Sequence, residues 1–125
     1  MLSFAVVAIV AYLVFQYISR VPASQTVDVA QAERRMAEIK GLQIIDVRSS
    51  MEHASGAIRG ARLIPLQELS SRVSEIDKNR PALIYCRSGH RSGMAMHVLS
   101  RQGFSQAVHL KGGILAWQAA GKPLA

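Results

Sequence analysis

Residues 2–18 carry no charged side chain, and their only polar groups besides two tyrosine hydroxyls belong to Ser3 and Gln16. A helix in a soluble domain keeps polar residues on one face, and this run has no polar face. It lies near the lower limit of ~17 residues for crossing a bilayer, with Tyr12, Phe15 and Tyr17 where an interfacial aromatic belt would sit. Three arrangements fit such a run: a membrane anchor, a cleaved secretory signal, or a buried core helix. Val21 and Ala23 supply the small residues of a cleavage site. However, no Lys or Arg precedes the run, and it is long for a signal core. The anchor is the favoured arrangement. Arg20, Arg34, Arg35 and Lys40 follow the run, and a basic flank tends to stay in the cytoplasm. The expectation is a single-pass membrane protein that meets lipid through residues 2–18, with its globular part on the cytoplasmic side. Residues 1–20 are then the anchor, 21–25 a polar linker with a proline, and 26–125 one domain large enough for a core.

The net charge is +7. The basic residues are scattered among apolar and acidic ones, a pattern that does not predict nucleic-acid binding. Anionic lipid headgroups or small anionic substrates fit the same charge. Cys86 is the one cysteine, which excludes an internal disulfide and a multi-cysteine metal site. No metal and no cofactor are expected.

Strands and helices alternate along the globular part. Asp28 reads as a helix N-cap, with Gln31 completing a capping box. Val29, Ala32, Met36 and Ile39 follow at helical spacing, and Gly41 closes the helix. Leu42 to Asp46 reads as a strand and Ala61 to Ile64 as a weaker one. Leu66, Leu69, Val73 and Ile76 form a second helical stripe, broken at residues 78–81. Ala82-Leu83-Ile84-Tyr85 is a continuous apolar run of the kind found in strands buried on both faces. A loop from Cys86 to Ser92 follows, then a helix from Met94 to Gln102, a strand from Ala107 to Leu110, a Gly112-Gly113 turn, and a last helix from Ile114 to Ala120. The alternation predicts an α/β fold around a small parallel sheet, preceded by one transmembrane helix.

The segment Cys86-Arg87-Ser88-Gly89-His90-Arg91-Ser92 carries the chemistry. Cys86 sits just past the C-terminal end of a buried strand, the edge where open α/β sheets bind ligands. A short loop entering a helix turns several backbone N–H groups inward, and the helix N-terminus adds partial positive charge. That setting favours thiolate over thiol. Arg87, Arg91 and His90 add cationic character, and Gly89 permits the tight curvature. The bland alternative is a buried cysteine at a strand end with its arginines in solvent.

At these residues the chain resembles the rhodanese family, and the resemblance spans nearly the whole globular part. An early block is similar to Asp46-Val47-Arg48, Glu52 and Gly56-Ala57-Ile58-Arg59-Gly60-Ala61. The central block is the loop from Cys86 to Arg91. The closing block resembles Leu110-Lys111-Gly112-Gly113, Trp117 and Gly121-Lys122-Pro123. The chain departs from the pattern at His53, Ala57 and Leu63, all outside the cysteine loop. The resemblance implies a three-layer fold and a sulfurtransferase. Cys86 would take a sulfane sulfur, as a persulfide, from a donor such as thiosulfate and pass it to cyanide or a thiol. Arg87, Ser88, Gly89, His90 and Arg91 would cradle the anion, with Arg91 as charged clamp and Arg87 at the rim.

Asp46, Arg48 and Glu52 are expected to be structural, with an Arg48–Glu52 ion pair fixing a loop. His53, His97 and His109 are read as surface or packed residues, and Trp117 as core. Two other functions remain open: a non-catalytic binding module on the same fold, and a phosphatase. Phosphate-accepting relatives of this fold use a Cys-x5-Arg loop. Here four residues separate Cys86 from Arg91, a loop that suits sulfur and crowds a tetrahedral phosphate.

Overall fold

The computed structural model describes residues 1–18 and 20–125. Ser19, which falls within the expected anchor, lies outside the described residues. Helix α1 (Phe4–Ile18) has no buried residue. Val21 packs against the domain core, and a single 3-10 turn at Ala23–Gln25 leads into strand β1 (Thr26–Val27). The expected linker is therefore folded onto the domain at Val21.

Strands β2 (Gln43–Asp46), β3 (Arg62–Leu63), β4 (Ala82–Tyr85) and β5 (Ala107–Leu110) join β1 in a five-stranded sheet of order β1-β5-β4-β2-β3. Every pairing is parallel, with Ile84 opposite Ile45 on one side and His109 on the other. β4 lies at the centre and all four of its residues are buried, which accounts for the unbroken apolar run in the sequence. Its side chains alternate between two core layers. Ile84 and Cys86 join Ile45, Val47, Leu69 and Leu99 on one face. Leu83 and Tyr85 join Val27, Leu110, Ile114 and Trp117 on the other.

Five helices of the domain complete the three layers: α2 (Val29–Glu38), α3 (Ser50–Ala54), α4 (Leu66–Arg72), α5 (His90–Arg101) and α6 (Gly113–Ala119). The predicted capping box starts α2, with Gln31 N–H donating to Asp28 Oδ1 at 2.8 Å and Asp28 N–H donating to Gln31 Oε1 at 2.9 Å. A second box, Ser49 with Glu52, starts α3. Helix α5 begins at His90, four residues before the predicted Met94, because Gly89 takes a left-handed conformation (φ 105°) and turns the chain into the helix at once. The stripe from Leu66 to Ile76 is α4 followed by a 3-10 turn at Val73–Glu75.

Candidate active site

The strand order brings the ends of β2 and β4 and the turn after β5 to one edge of the sheet. Cys86 follows β4 directly and is 1% exposed. Gly89 N–H donates to Cys86 Sγ at 3.1 Å, and the backbone N–H groups of Ser88 and Ser92 also favour negative charge on the sulfur. Ser92 Oγ lies 3.5 Å from it. The loop carbonyls point elsewhere. Cys86 O accepts from Ile114 N–H at 2.9 Å and Arg87 O from Leu115 N–H at 3.1 Å. The first turn of α6 thus holds the loop with its carbonyls away from the sulfur. This close approach explains the Gly-Gly pair: Gly113 has φ +58°, and a Cβ there would overlap the carbonyls of Cys86 and Arg87.

Burial disfavours a charged sulfur, but the Ser92 hydroxyl and the amides of Ser92, Gly89 and Ser88 outweigh it and hold the Cys86 thiol below its ordinary pKa. Arg87, Ser88 and His90 are exposed and form the loop's outer surface, while Gly89 and Arg91 are half-buried. A concavity of about 570 Å³ at the opposite end of the sheet, lined by Gln43, Ile76, Arg80 and Phe104 among others, holds no thiol.

The expected Arg48–Glu52 pair does not form. Arg48 turns inward to Asp46, with Nη2 2.7 Å from Oδ2, and also donates to the Gly56 carbonyl at 2.7 Å. Glu52 sits at the start of α3, reaches across to α5 and binds Arg91, with Oε1 2.6 Å from Nη1 and Oε2 2.8 Å from Nη2. The reason is geometric. Asp46 ends a buried strand beside Arg48, whereas Glu52 faces the neighbouring strand's loop. Arg91, expected as the charged clamp, is held by a carboxylate.

Asp46 is fully buried and accepts from Arg48, from the Tyr85 hydroxyl at 3.0 Å, and from His53, whose Nδ1 lies 2.9 Å away. Burial alone would raise its pKa, but the bonds from Arg48 and His53 prevail and keep it below the ordinary carboxylate value. The Tyr85 hydroxyl also accepts from Ile58 N–H at 3.1 Å. Asp46 and Arg48 therefore form a buried post beside the ends of β2 and β4. Trp117 is core, with Nε1–H donating to Pro123 O at 3.0 Å.

Sequence reasoning gave no site role to Ser92, which touches the sulfur, nor to His109, which touches Ser92. Ser92 was visible as the last residue of the cysteine loop. His109 had no signal within its apolar run. Among the described residues, no group of three or more His, Cys, Asp or Glu side chains is placed to hold a metal ion.

The family model for the rhodanese-like domain matches residues 28–120. The sulfurtransferase of Allochromatium vinosum is 38% identical over 98 residues, covering 78% of this chain and 92% of that protein. The thiosulfate sulfurtransferase GlpE of Shewanella oneidensis is 34% identical over 86 residues, covering 69% of this chain and 85% of that protein. The crystal structure of a rhodanese-related protein from Thermoplasma volcanium superposes with a TM-score of 0.74 at 26% identity, covering 81% of this chain and 97% of its own. The match takes in all of the sheet except β1, together with the cysteine loop and the helix that braces it, and on it this chain belongs to the rhodanese-like family, whose members here include sulfurtransferases.

Proposed function

We propose that the protein moves a sulfane sulfur from a small anionic donor such as thiosulfate, through a persulfide on Cys86, to cyanide or a thiol. The Cys86 thiolate attacks the outer sulfur of thiosulfate. A new S–S bond forms as the donor's S–S bond breaks, and the electron pair leaves with sulfite. Cys86 then carries an anionic persulfide. Cyanide attacks its outer sulfur, thiocyanate departs and the thiolate returns. A thiolate acceptor leaves as its own persulfide.

The observation that carries this reading is the Gly89 amide 3.1 Å from the Cys86 sulfur, joined by the amides of Ser88 and Ser92. Such donors stabilise negative charge on the reacting sulfur in both half-reactions. Ser88, Gly89 and His90 form the anion cradle, and exposed Arg87 draws anionic donors to the rim. Arg91, braced by Glu52, keeps the cradle in shape and adds positive potential at the sulfur. The full chain supplied with thiosulfate and cyanide is expected to release thiocyanate, and Cys86→Ser to release none. Turnover by Cys86→Ser at the unmodified rate overturns the reading.

The reading extends to location. Helix α1 is uncharged and exposed along its length, a surface that does not stay in water without association. With Arg20, Arg34, Arg35 and Lys40 after it, the favoured arrangement is residues 2–18 in lipid and the catalytic domain on the cytoplasmic side, where reducing conditions keep Cys86 available. A reporter fused after Ala125 that works only outside the cytoplasm should be silent. A signal from it, or a mature chain beginning at Ser24, overturns the location.

A further inference from the structure

A row of hydrogen-bonded groups runs inward from Cys86 through the Ser92 hydroxyl, and its inner members, His109 and Thr26, take no part in the chemistry above. Cys86 Sγ lies 3.5 Å from Ser92 Oγ, and Ser92 Oγ lies 3.0 Å from His109 Nδ1. On the other side of the ring, His109 Nε2 lies 3.3 Å from Thr26 Oγ1, which donates to Pro22 O at 3.2 Å. Ser92 is fully buried and His109 is 7% exposed. The row crosses three elements, α5, β5 and β1, which adjoin only because the sheet runs β1-β5-β4.

We propose that His109 is a positioning residue for sulfur transfer, which acts through Ser92 to keep a hydrogen-bond donor aimed at the anionic sulfur of Cys86; this rests on the reading of Cys86 as the nucleophile. Ser92 has a single hydroxyl proton and three acceptors within reach: the sulfur, His109 Nδ1 and the Gly89 carbonyl at 3.2 Å. When Nδ1 carries the ring proton it donates to Ser92 Oγ, and the Ser92 proton is left for the sulfur. Thr26 then donates to the bare Nε2. When Nε2 carries the ring proton, the row runs the other way: the thiol donates to Ser92, Ser92 to Nδ1, Nε2–H to Thr26, and Thr26 to Pro22 O. A neutral imidazole therefore serves both charge states of the sulfur by exchanging tautomers, while the thiol proton is lost to solvent. Burial keeps the His109 ring neutral, holding its pKa below the ordinary value. The charge of Arg91 also bears on Cys86, and Glu52 holds Arg91 independently of this row.

The test is the pH dependence of Cys86 alkylation by iodoacetamide in the full chain, which needs no sulfur transfer. His109→Leu should move the midpoint upward and slow alkylation at neutral pH by about three- to ten-fold, the range of one hydrogen bond. His109→Asn, which can place an amide donor near the Nδ1 position, should restore much of the rate. Ser92→Ala should match His109→Leu, and the double variant should be no slower than Ser92→Ala alone, because the histidine acts through the hydroxyl. Thr26→Val, at the sheet edge, should shift the midpoint the same way by less, and it serves if His109→Leu does not fold. An unmoved midpoint in the folded variants, or losses that add in the double variant, overturns the proposal. A shifted midpoint in a protein that never takes sulfur from thiosulfate would keep His109 as a positioning residue for the Cys86 thiolate and remove the sulfur donor of the proposed function instead.

Discussion

Glu52 holds Arg91 through two parallel hydrogen bonds of 2.6 and 2.8 Å, joining positions 39 apart in the chain. The same carboxylate accepts from the Ser49 N–H and hydroxyl, so one side chain caps α3 and fixes the first turn of α5. Arg91 is the main cause that brings the Glu52 pKa down from 4.5 to about 2.

Glu52→Gln keeps the size and loses the charge. It is expected to lower stability by about 1–2 kcal/mol near neutral pH, a range discounted for the pair's partial exposure. A carboxylate with a depressed folded pKa stabilises fully above its unfolded value and stops doing so as pH falls through its folded value. The gap between the unmodified protein and Glu52→Gln should therefore be full above pH 4.5 and narrow toward pH 2. Denaturant unfolding at several pH values measures it, and a constant gap would exclude the ion pair as its source.

Gly113→Ala would set a methyl group against the carbonyls of Cys86 and Arg87 in a left-handed backbone (φ +58°). It is expected to lose roughly 3 kcal/mol or more and to disable the loop. Gly103 is also left-handed (φ +86°) but has nothing within 4 Å of an added Cβ. Gly103→Ala should lose only about 1 kcal/mol, with Cys86 alkylation unchanged. Thermal unfolding and alkylation of the two variants, side by side, separate backbone strain from loop displacement.

The contrast between what local pattern shows and what it hides has a common cause. β4 and its loop are legible because a strand buried on both faces must be apolar throughout, and the run stops abruptly at Cys86-Arg87. The Asp28 capping box is legible because its signal and its partner lie within one helical turn. Nearness in sequence pairs Glu52 with Arg48. Its true partner appears only when β2 and β4 pair, and strand order is not written in local periodicity. His109 is hidden likewise, since it sits in an apolar strand and its partners come from α5 and β1. β1 is two residues long, too short for any alternation to register. The first turn of α5 is His90-Arg91-Ser92, whose polar side chains mask the helix until its buried positions resume at Ala95 and Met96.

Arg87 is exposed at the rim of the loop and its carbonyl, not its side chain, is tied to α6. Arg87→Ala is therefore expected to leave the fold and the alkylation of Cys86 intact. The KM for thiosulfate should rise about three- to ten-fold with little change in kcat, since a rim charge acts on encounter and ground-state binding. Steady-state kinetics at low and high ionic strength checks this, because added salt should shrink the difference between the two proteins.

The central claim is that Cys86 stores the sulfur in transit. Intact-protein mass spectrometry after thiosulfate treatment tests it most directly. The account predicts that the full chain gains the mass of one sulfur atom, that cyanide or a reductant removes it, and that Cys86→Ser gains nothing. A folded, unmodified chain with no mass gain in thiosulfate, or an equal gain in Cys86→Ser, would contradict it.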